Sequence, residues 1–364
     1  MSLTGTPLLL LLIGLVVALP GVTALAWGRV RGPGWVRWGQ RWGLMVGCQL
    51  VAVVMAGVVV NNEFSLYDSW TDLLGQNPVA AGPIPDAAGG TAGRGGALPG
   101  VGPLPAPGRG GRVVEEVVTG PDSRIQDTIW VLLPAGYNDP ANAARRYPVI
   151  EFLPGYPGTP TTWLHALKLQ QVTDAEIAAG RVKPFIGVLP TMNVAMPRDT
   201  ECTNIPHGLQ VATWLGSDVP RILAQQARTT PLGGWGITGY STGGFCTAKL
   251  LLTYPTTFRA GAVLAGYYTA GTDSTTGDLF GGSQATRQAN DPTWLVTHHP
   301  PPAADLLAVY SAGDPATDLP TQRFLAAAHP PLHVEQIRLA SGGHNTGVWL
   351  SVEPQVLAWL THRT

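Results

Sequence analysis

The chain has 364 residues, a formal net charge of −1 and only 12% charged residues. This length suits one large catalytic domain with appendages better than two full-sized domains. Because nucleic-acid binding requires clustered Lys and Arg side chains, a near-neutral chain with few charges indicates that nucleic acid is not a partner.

Two apolar segments lie near the N-terminus. Residues 7–27 and residues 43–60 are each long enough to cross a bilayer at about 1.5 Å per residue. The residues between them, 28–42, include no acidic residue but carry arginines and interfacial tryptophans (Arg29, Arg31, Arg37, Arg41, Trp35, Trp38 and Trp42). Since positively charged loops remain in the cytoplasm, the N-terminus and everything after residue 60 should lie outside. Residues 1–63 are therefore expected to form a two-helix membrane anchor whose partner is the bilayer.

The competing interpretations of these segments are a cleaved signal peptide and a pair of buried core helices. Residues 1–6 have no positively charged side chain and a second apolar segment follows, which disfavours a signal peptide. Two long runs without a polar face, separated by Arg and Trp, disfavour core helices. The expected location is the cell membrane, crossed more than once, with the rest of the chain extracytoplasmic.

Residues 64–111 are dominated by Gly, Pro and Ala. Side chains this small bury too little apolar surface to offset the entropy of ordering the backbone. We expect a flexible to semi-extended linker that holds the following domain away from the membrane.

Residues 112–364 alternate between short apolar runs and helical stretches, which predicts one catalytic domain. Strand-like segments occur at 113–118, 128–133, 147–153, 185–189, 234–238, 260–265, 306–311 and 334–339, and helix-like segments at 175–180, 219–228, 242–254, 321–328 and the last fifteen or so residues. Almost wholly apolar strands alternating with helices indicate an α/β fold, with a mostly parallel sheet covered on both faces. No helix separates the first two strands, so they should pair antiparallel.

The strongest chemical motif is Gly-Tyr-Ser-Thr-Gly at residues 239–243. It directly follows a predicted strand and directly precedes a predicted helix, as the nucleophile elbow of an α/β-hydrolase fold does. Small residues are needed two before and two after the serine because the turn is too sharp for larger side chains. The bare pattern also occurs by chance, but its position between strand and helix favours Ser241 as a nucleophile.

An α/β-hydrolase places its acid and its base on loops after later strands, in that order. Asp314 immediately follows the strand at 306–311, and Asp318 lies four residues later as an alternative acid. His344 follows the strand at 334–339 and is the histidine with both the right order and the right context. The predicted triad is Ser241, Asp314 and His344.

An oxyanion hole requires two backbone N–H donors. One is expected from Thr242, after the nucleophile, and the other from Tyr156, in the Gly-rich loop after the third strand; the alternative for that loop is a simple turn. The sequence contains no metal-ligand spacing and no phosphate-binding Gly-rich loop, so no metal or cofactor is expected.

Three cysteines are present, and Cys48 falls within an apolar segment. Cys202 and Cys246 remain available to a soluble domain. If that domain faces an oxidising compartment, a disulfide between them is expected. The alternative is two unrelated buried thiols.

Residues 112–364 resemble the esterase family that includes esterase D (S-formylglutathione hydrolase), enterochelin esterases, feruloyl esterases and the antigen 85 mycolyltransferases. The resemblance rests on TIWVLLPAGYN, YPVIEFLPGYPG, GWGITGYSTGGFCTAKLLLTYPTTFRAGAVLAGYY and GGHNTGVW. It implies an α/β-hydrolase fold with Ser241, Asp314 and His344 as the triad. The membrane-anchored architecture resembles that of actinobacterial members of the family, and so do the segments DLFGGS and RDTECTN. This resemblance supports Cys202 and Cys246 as disulfide partners.

The chain also departs from the family pattern. Thr242 stands where many members have Met, and the mycolyltransferases use Glu where this chain has Asp, which keeps Asp318 open as the acid. The resemblance implies an extracytoplasmic serine esterase working through an acyl-enzyme on an ester or acyl donor, such as a cell-envelope lipid or glycan. The alternatives are an acyltransferase acting on envelope sugars and a non-catalytic envelope protein with a hydrolase fold.

Overall fold

The computed structural model describes residues 6–64, 70–73 and 110–364. These residues divide into two units: the first contains the N-terminal helices and the loop Gly342–Asn345, and the second contains the sheet with its helices. Most of the predicted linker, at residues 65–69 and 74–109, lies outside the described residues.

The first unit contains helices α1 (Thr6–Trp27), α2 (Gly34–Phe64) and α3 (Trp70–Leu73). Leu12 of α1 and Val58 of α2 are buried against each other, surrounded by Leu8, Leu9, Val51 and Met55. By length and composition alone, Pro7–Trp27 and Gly34–Asn61 could each cross a membrane.

Helix α2 begins nine residues before the second predicted span, at Gly34 instead of residue 43. The segment containing Trp35, Arg37 and Trp38 was predicted as a loop, but it is helical. The Arg and Trp pattern carries a prediction of membrane topology and does not specify a backbone conformation. Pro33 and Gly34 are the residues that mark the start of the helix, and the N–H of Arg37 donates to the carbonyl of Pro33 at 3.0 Å.

The second unit is built on one eight-stranded sheet. Its strands are β1 (Arg112–Thr119), β2 (Gln126–Leu133), β3 (Val149–Leu153), β4 (Ile186–Pro190), β5 (Trp235–Tyr240), β6 (Phe258–Leu264), β7 (Asp305–Ser311) and β8 (His333–Leu339). Their spatial order is β1-β2-β4-β3-β5-β6-β7-β8. β2 pairs antiparallel with β1 and with β4, and the remaining pairs are parallel. The predicted antiparallel start and parallel continuation are confirmed.

Helices cover both faces of this sheet: α4 (Pro160–His165), α5 (Leu169–Ala178), α6 (Val211–Thr213), α7 (Val219–Gln226), α8 (Thr242–Thr253), α9 (Gln284–Ala289), α10 (Pro292–His298), α11 (Pro315–Ala327) and α12 (Thr346–Thr361). Side chains of a strand alternate between faces. In β3, Val149 and Leu153 therefore join one core cluster, whereas Ile150 and Phe152 join the other. The first cluster includes side chains of α7 and α8, and the second includes side chains of α5 and α12.

The parallel strands end together at one edge of the sheet. Leu153 of β3 pairs with Gly239 of β5, and Tyr240 of β5 pairs with Leu264 of β6. Ser311 of β7 pairs with Leu339 of β8. The loops that follow these strands consequently leave the same edge, which is where open α/β sheets bind their ligands.

Candidate active site

Ser241 occupies the turn between β5 and α8. Its backbone has φ 57° and ψ −125°, a conformation that costs a non-glycine residue about 1–3 kcal/mol. Its N–H donates to the carbonyl of Leu264 at 3.0 Å, and its own carbonyl accepts from the N–H of Phe245 at 3.1 Å. These two hydrogen bonds therefore fix the turn to strand β6 on one side and to the first turn of α8 on the other.

The glycines on both sides of Ser241 are required by close backbone contacts. A β-carbon on Gly239 would lie 2.3 Å from the carbonyl oxygen of Gly243. A β-carbon on Gly243 would lie 2.4 Å from the carbonyl oxygens of Leu153 and Pro154. Real β-carbons do not approach an atom this closely, so the turn admits no larger residue at either position.

The loop after β3 packs directly on this turn. A β-carbon on Gly155 would lie 3.0 Å from Cβ of Ser241 and 3.0 Å from Cε2 of Tyr240. Tyr156, predicted as an oxyanion donor, follows Gly155, and its hydroxyl donates to the carbonyl of Pro197 at 2.5 Å. Thr242, the other predicted donor, is the first residue of α8, where backbone N–H groups have no partner within the helix. The segments carrying both predicted donors thus meet at Ser241.

The two candidate acids have different surroundings. Asp314 directly precedes α11 and is fully buried, and its Oδ2 accepts from the Thr317 hydroxyl at 2.7 Å. Asp318 lies one turn later and accepts from Arg338 of β8, at 3.1 Å to Nε and 3.0 Å to Nη2. These bonds from Arg338 hold the pKa of the Asp318 carboxyl below its usual value. Asp318 is therefore one half of an ion pair with the adjacent strand.

His344 lies in the loop between the end of β8 at Leu339 and the start of α12 at Thr346. Its side chain is half-buried. Helix α12 packs near the elbow, because the ring of Trp349 stacks on Tyr240, the residue before Ser241, with ring centroids 4.4 Å apart.

Cys202 and Cys246 form a disulfide with Cα atoms 6.0 Å apart, as predicted. The bond joins the loop after β4 to the first turns of α8, five residues beyond Ser241. Glu201 and Cys202 both have positive φ, at 43° and 48°, a left-handed conformation that is unfavourable for residues with a β-carbon. The disulfide is one of the bonds that hold the loop in this conformation.

A buried polar cluster beside the disulfide was not predicted from the sequence. The ammonium of Lys249, on α8, donates to the Glu201 carbonyl at 2.7 Å and to Oδ1 of Asn290 at 3.1 Å. The hydroxyl of Tyr267 donates to Oε1 of Glu201 at 2.7 Å. Burial raises the pKa of the Glu201 carboxyl and lowers the pKa of the Lys249 ammonium. Helical periodicity marks Lys249 as part of α8, but only the fold brings Glu201 and Tyr267 to it.

Among the described residues, no group of three or more His, Cys, Asp or Glu side chains is arranged to hold a metal ion. At the elbow itself the described residues present the Ser241 hydroxyl and the backbone N–H groups at the start of α8.

A family model described as "Putative esterase" matches residues 125–346. An uncharacterised protein of Corynebacterium glutamicum is 24% identical to this chain over 245 residues, which cover 64% of this chain and 57% of that protein. The chain thus spans less than two thirds of the length of this relative.

Two solved structures share the fold. A ferulic acid esterase is 17% identical, with a TM-score of 0.60, over 70% of this chain and 99% of that one. An S-formylglutathione hydrolase from Agrobacterium tumefaciens is 15% identical, with a TM-score of 0.58, over 71% of this chain and 97% of that one. What these similarities show is a shared fold.

Proposed function

This chain belongs to the esterase family whose model matches residues 125–346, and on that premise we propose that it is a membrane-anchored serine esterase. It hydrolyses carboxylic esters outside the cytoplasm through an acyl-enzyme on Ser241. The observation that carries the proposal is the strained backbone of Ser241, at a strand-to-helix turn whose glycines admit no β-carbon. A turn of this kind presents the nucleophile of a serine hydrolase at the end of the sheet.

In the first half-reaction, Ser241 Oγ attacks the carbonyl carbon of the ester while His344 accepts the hydroxyl proton. The N–H groups of Tyr156 and Thr242 stabilise the negative charge that develops on the carbonyl oxygen. His344 then gives the proton to the leaving alcohol, and the ester C–O bond breaks to form the acyl-enzyme. Water, deprotonated by His344, attacks the acyl-enzyme in the second half-reaction and releases the acid.

The proposed acid is Asp314. A triad carboxylate holds the imidazole in one tautomer and stabilises its protonated form, and it does so most effectively when it is buried. Asp314 is buried at the carboxyl end of β7, whereas Asp318 is engaged by Arg338. Chain order makes His344 the proposed base, and the packing of Trp349 against Tyr240 supports this assignment.

The proposed location is the cell membrane, with the catalytic domain on the extracytoplasmic side. Two apolar helices long enough to span a bilayer support the anchor. The arginines around the start of α2 support a cytoplasmic connection between them. The Cys202–Cys246 disulfide supports an oxidising compartment for the rest of the chain. An enzyme tethered in this way meets esters of the cell envelope, so an envelope lipid or glycan is the proposed substrate class.

The activity is tested with the full chain in detergent, a short activated ester and a fluorophosphonate probe. Ser241→Ala should abolish both ester turnover and labelling by the probe. Ser351→Ala is the matched control, because the Ser351 hydroxyl donates within its own helix to the carbonyl of Val348. Turnover retained by Ser241→Ala would refute Ser241 as the nucleophile, and a wild-type chain inert to both reagents would indicate a non-catalytic envelope protein.

Acyl transfer to a sugar uses the same residues, because only the second nucleophile differs. The acceptor is identified by supplying an acyl donor together with trehalose and analysing the products. Free acid is expected from an esterase, and acylated sugar would assign the chain as an acyltransferase.

The location is tested by labelling a tag placed in residues 74–109 from outside intact cells. Labelling is expected, and protection of the tag would place the catalytic domain in the cytoplasm.

A further inference from the structure

Asn193 is a buried side chain that the proposed mechanism does not use. It lies three residues after β4, is only 6% exposed, and donates from its amide nitrogen to two carbonyl oxygens of the loop after β3. The acceptors are the carbonyl of Gly155, at 3.1 Å, and the carbonyl of Gly158, at 2.7 Å. Because β3 and β4 are parallel neighbours, the loops that follow them leave the sheet side by side.

The bond to Gly155 fixes the orientation of a particular peptide group. The carbonyl of Gly155 and the N–H of Tyr156 belong to the same peptide unit, which is trans. In a trans peptide the C=O and N–H bonds point in opposite directions within one plane. When Asn193 holds the carbonyl, the N–H of Tyr156 is directed away from Asn193. The close approach of Gly155 to Ser241 sets this peptide beside the nucleophile.

The bond to Gly158 fixes the other end of the same turn. A β-carbon on Gly158 would lie 2.9 Å from the carbonyl oxygen of Gly155, so the turn is closed tightly on itself. One amide nitrogen has two N–H bonds and can therefore satisfy both converging carbonyls. An Asp carboxylate has no N–H and would repel the same two oxygens, and a Ser hydroxyl could donate to only one of them.

We propose that Asn193 is a positioning residue for the oxyanion hole, acting by aiming the N–H of Tyr156 at the carbonyl oxygen of the reacting ester. The inference rests on the proposed function of Ser241. An N–H donor that is already oriented stabilises the carbonyl oxygen most strongly once negative charge has developed on it. Asn193 therefore contributes to stabilising the transition state more than to binding the substrate.

The test uses Asn193→Ala and Asn193→Asp in the full chain. Three quantities are measured: kcat and KM for the activated ester, the inhibition constant of a trifluoromethyl ketone whose adduct with serine carries an oxyanion, and the melting temperature. Complete loss of an oxyanion donor costs about 100- to 1000-fold in kcat, so misalignment of one should cost about 10- to 100-fold. The inhibition constant of the ketone should rise by a similar factor, while KM changes little.

The matched control is Asn204→Ala in the same loop. Asn204 donates to the Thr213 hydroxyl at 2.9 Å and accepts from the Thr213 N–H at 3.0 Å, bonds that only hold the loop together. This variant should lower the melting temperature, but it should leave the inhibition constant of the ketone unchanged. Asn193→Ser retains one donor and should fall between wild type and Asn193→Ala, which keeps the test valid if the alanine variant does not fold.

The outcomes distinguish failure of the role of Asn193 from failure of the proposed function. An active wild-type enzyme whose Asn193 variants lose stability but keep kcat and ketone affinity would overturn the inference alone. A wild-type chain that neither hydrolyses the ester nor reacts with the fluorophosphonate would overturn the proposed function and this inference with it.

Discussion

Gly155 and Ser241 are packed so closely that a β-carbon on Gly155 would lie 3.0 Å from Cβ of Ser241. The loop that carries one proposed oxyanion donor therefore rests directly on the turn that carries the proposed nucleophile. A single added methyl group would have to move one of the two segments.

We predict that Gly155→Ala lowers kcat about 10- to 100-fold, because the loop must move away from Ser241 and take the N–H of Tyr156 with it. Steady-state kinetics with the activated ester measure the loss. Gly271→Ala is the control, since a β-carbon on Gly271 would meet nothing within 4 Å. Full activity in Gly155→Ala would contradict the close packing at the elbow.

The identity of the acid is tested with a pair of isosteric variants. Asp314→Asn should lower kcat by about 10⁴-fold with little change in structure, because the amide no longer stabilises the protonated imidazole. Asp318→Asn removes one partner of Arg338 and should change kcat only a few-fold. Kinetics and circular dichroism on both variants measure the effects. A larger loss of kcat in Asp318→Asn than in Asp314→Asn would make Asp318 the acid.

Removing the disulfide should destabilise the catalytic domain. Cys202 and Cys246 are 44 residues apart in the chain, for which the chain-entropy estimate gives a stabilisation of about 4 kcal/mol. Replacing both by Ser should lower the denaturant midpoint accordingly, and mild reduction of the wild type should reproduce the change. Cys48→Ser in α2 is the control. An unchanged midpoint in the double variant would show that the loop is held by its other bonds.

Two buried carboxyl groups should make the stability of the fold depend on pH. Glu151 of β3 and Glu353 of α12 are buried, and neither has a hydrogen-bond partner in the described part of the chain. Burial raises the pKa of both groups well above 4.5. Above pH 4.5 these groups ionise in the unfolded chain but stay protonated in the folded one, so the free energy of unfolding falls as the pH rises. The loss is up to about 1.4 kcal/mol per pH unit for each group, and it stops once the pH passes the pKa of that group in the folded state.

Glu353→Gln should accordingly raise the melting temperature at pH 8 much more than at pH 5. Glu115→Gln, at an exposed position of β1, is the control and should have little effect at either pH. An equal change at both pH values would show that Glu353 is ionised in the folded protein.

The sequence predicts the sheet well because its central strands are short and wholly buried. It predicts the turn at Ser241 because the elbow requires glycines at fixed spacing. It predicts α11 only from residue 321, since Pro320 suggests a break, whereas the helix begins at Pro315 and contains Pro320. The short helices α9 and α10 were not predicted. They begin directly after the N-capping residues Ser283 and Asp291, whose side chains accept from the N–H groups of Thr286 and Trp294.

The role inferred for Asn193 shows why part of the site is not visible in the sequence. Asn193 and Gly155 are 38 residues apart in the chain, and no local pattern relates them. They meet because β3 and β4 become neighbours in the sheet. Lys249 and Glu201 are likewise brought together by tertiary contacts alone. Motifs identify residues that act through local backbone geometry, but not those that act across neighbouring loops.

The disulfide between Cys202 and Cys246 also closes a covalent ring that contains β5 and Ser241. The turn at Pro231, Leu232 and Gly233 lies within this ring and is exposed. A protease that cuts once at this turn would produce two fragments that remain joined through sulfur. The nicked protein would run as one band on a non-reducing gel and as two bands after reduction, and the segment with Ser241 would stay attached to the rest of the sheet domain.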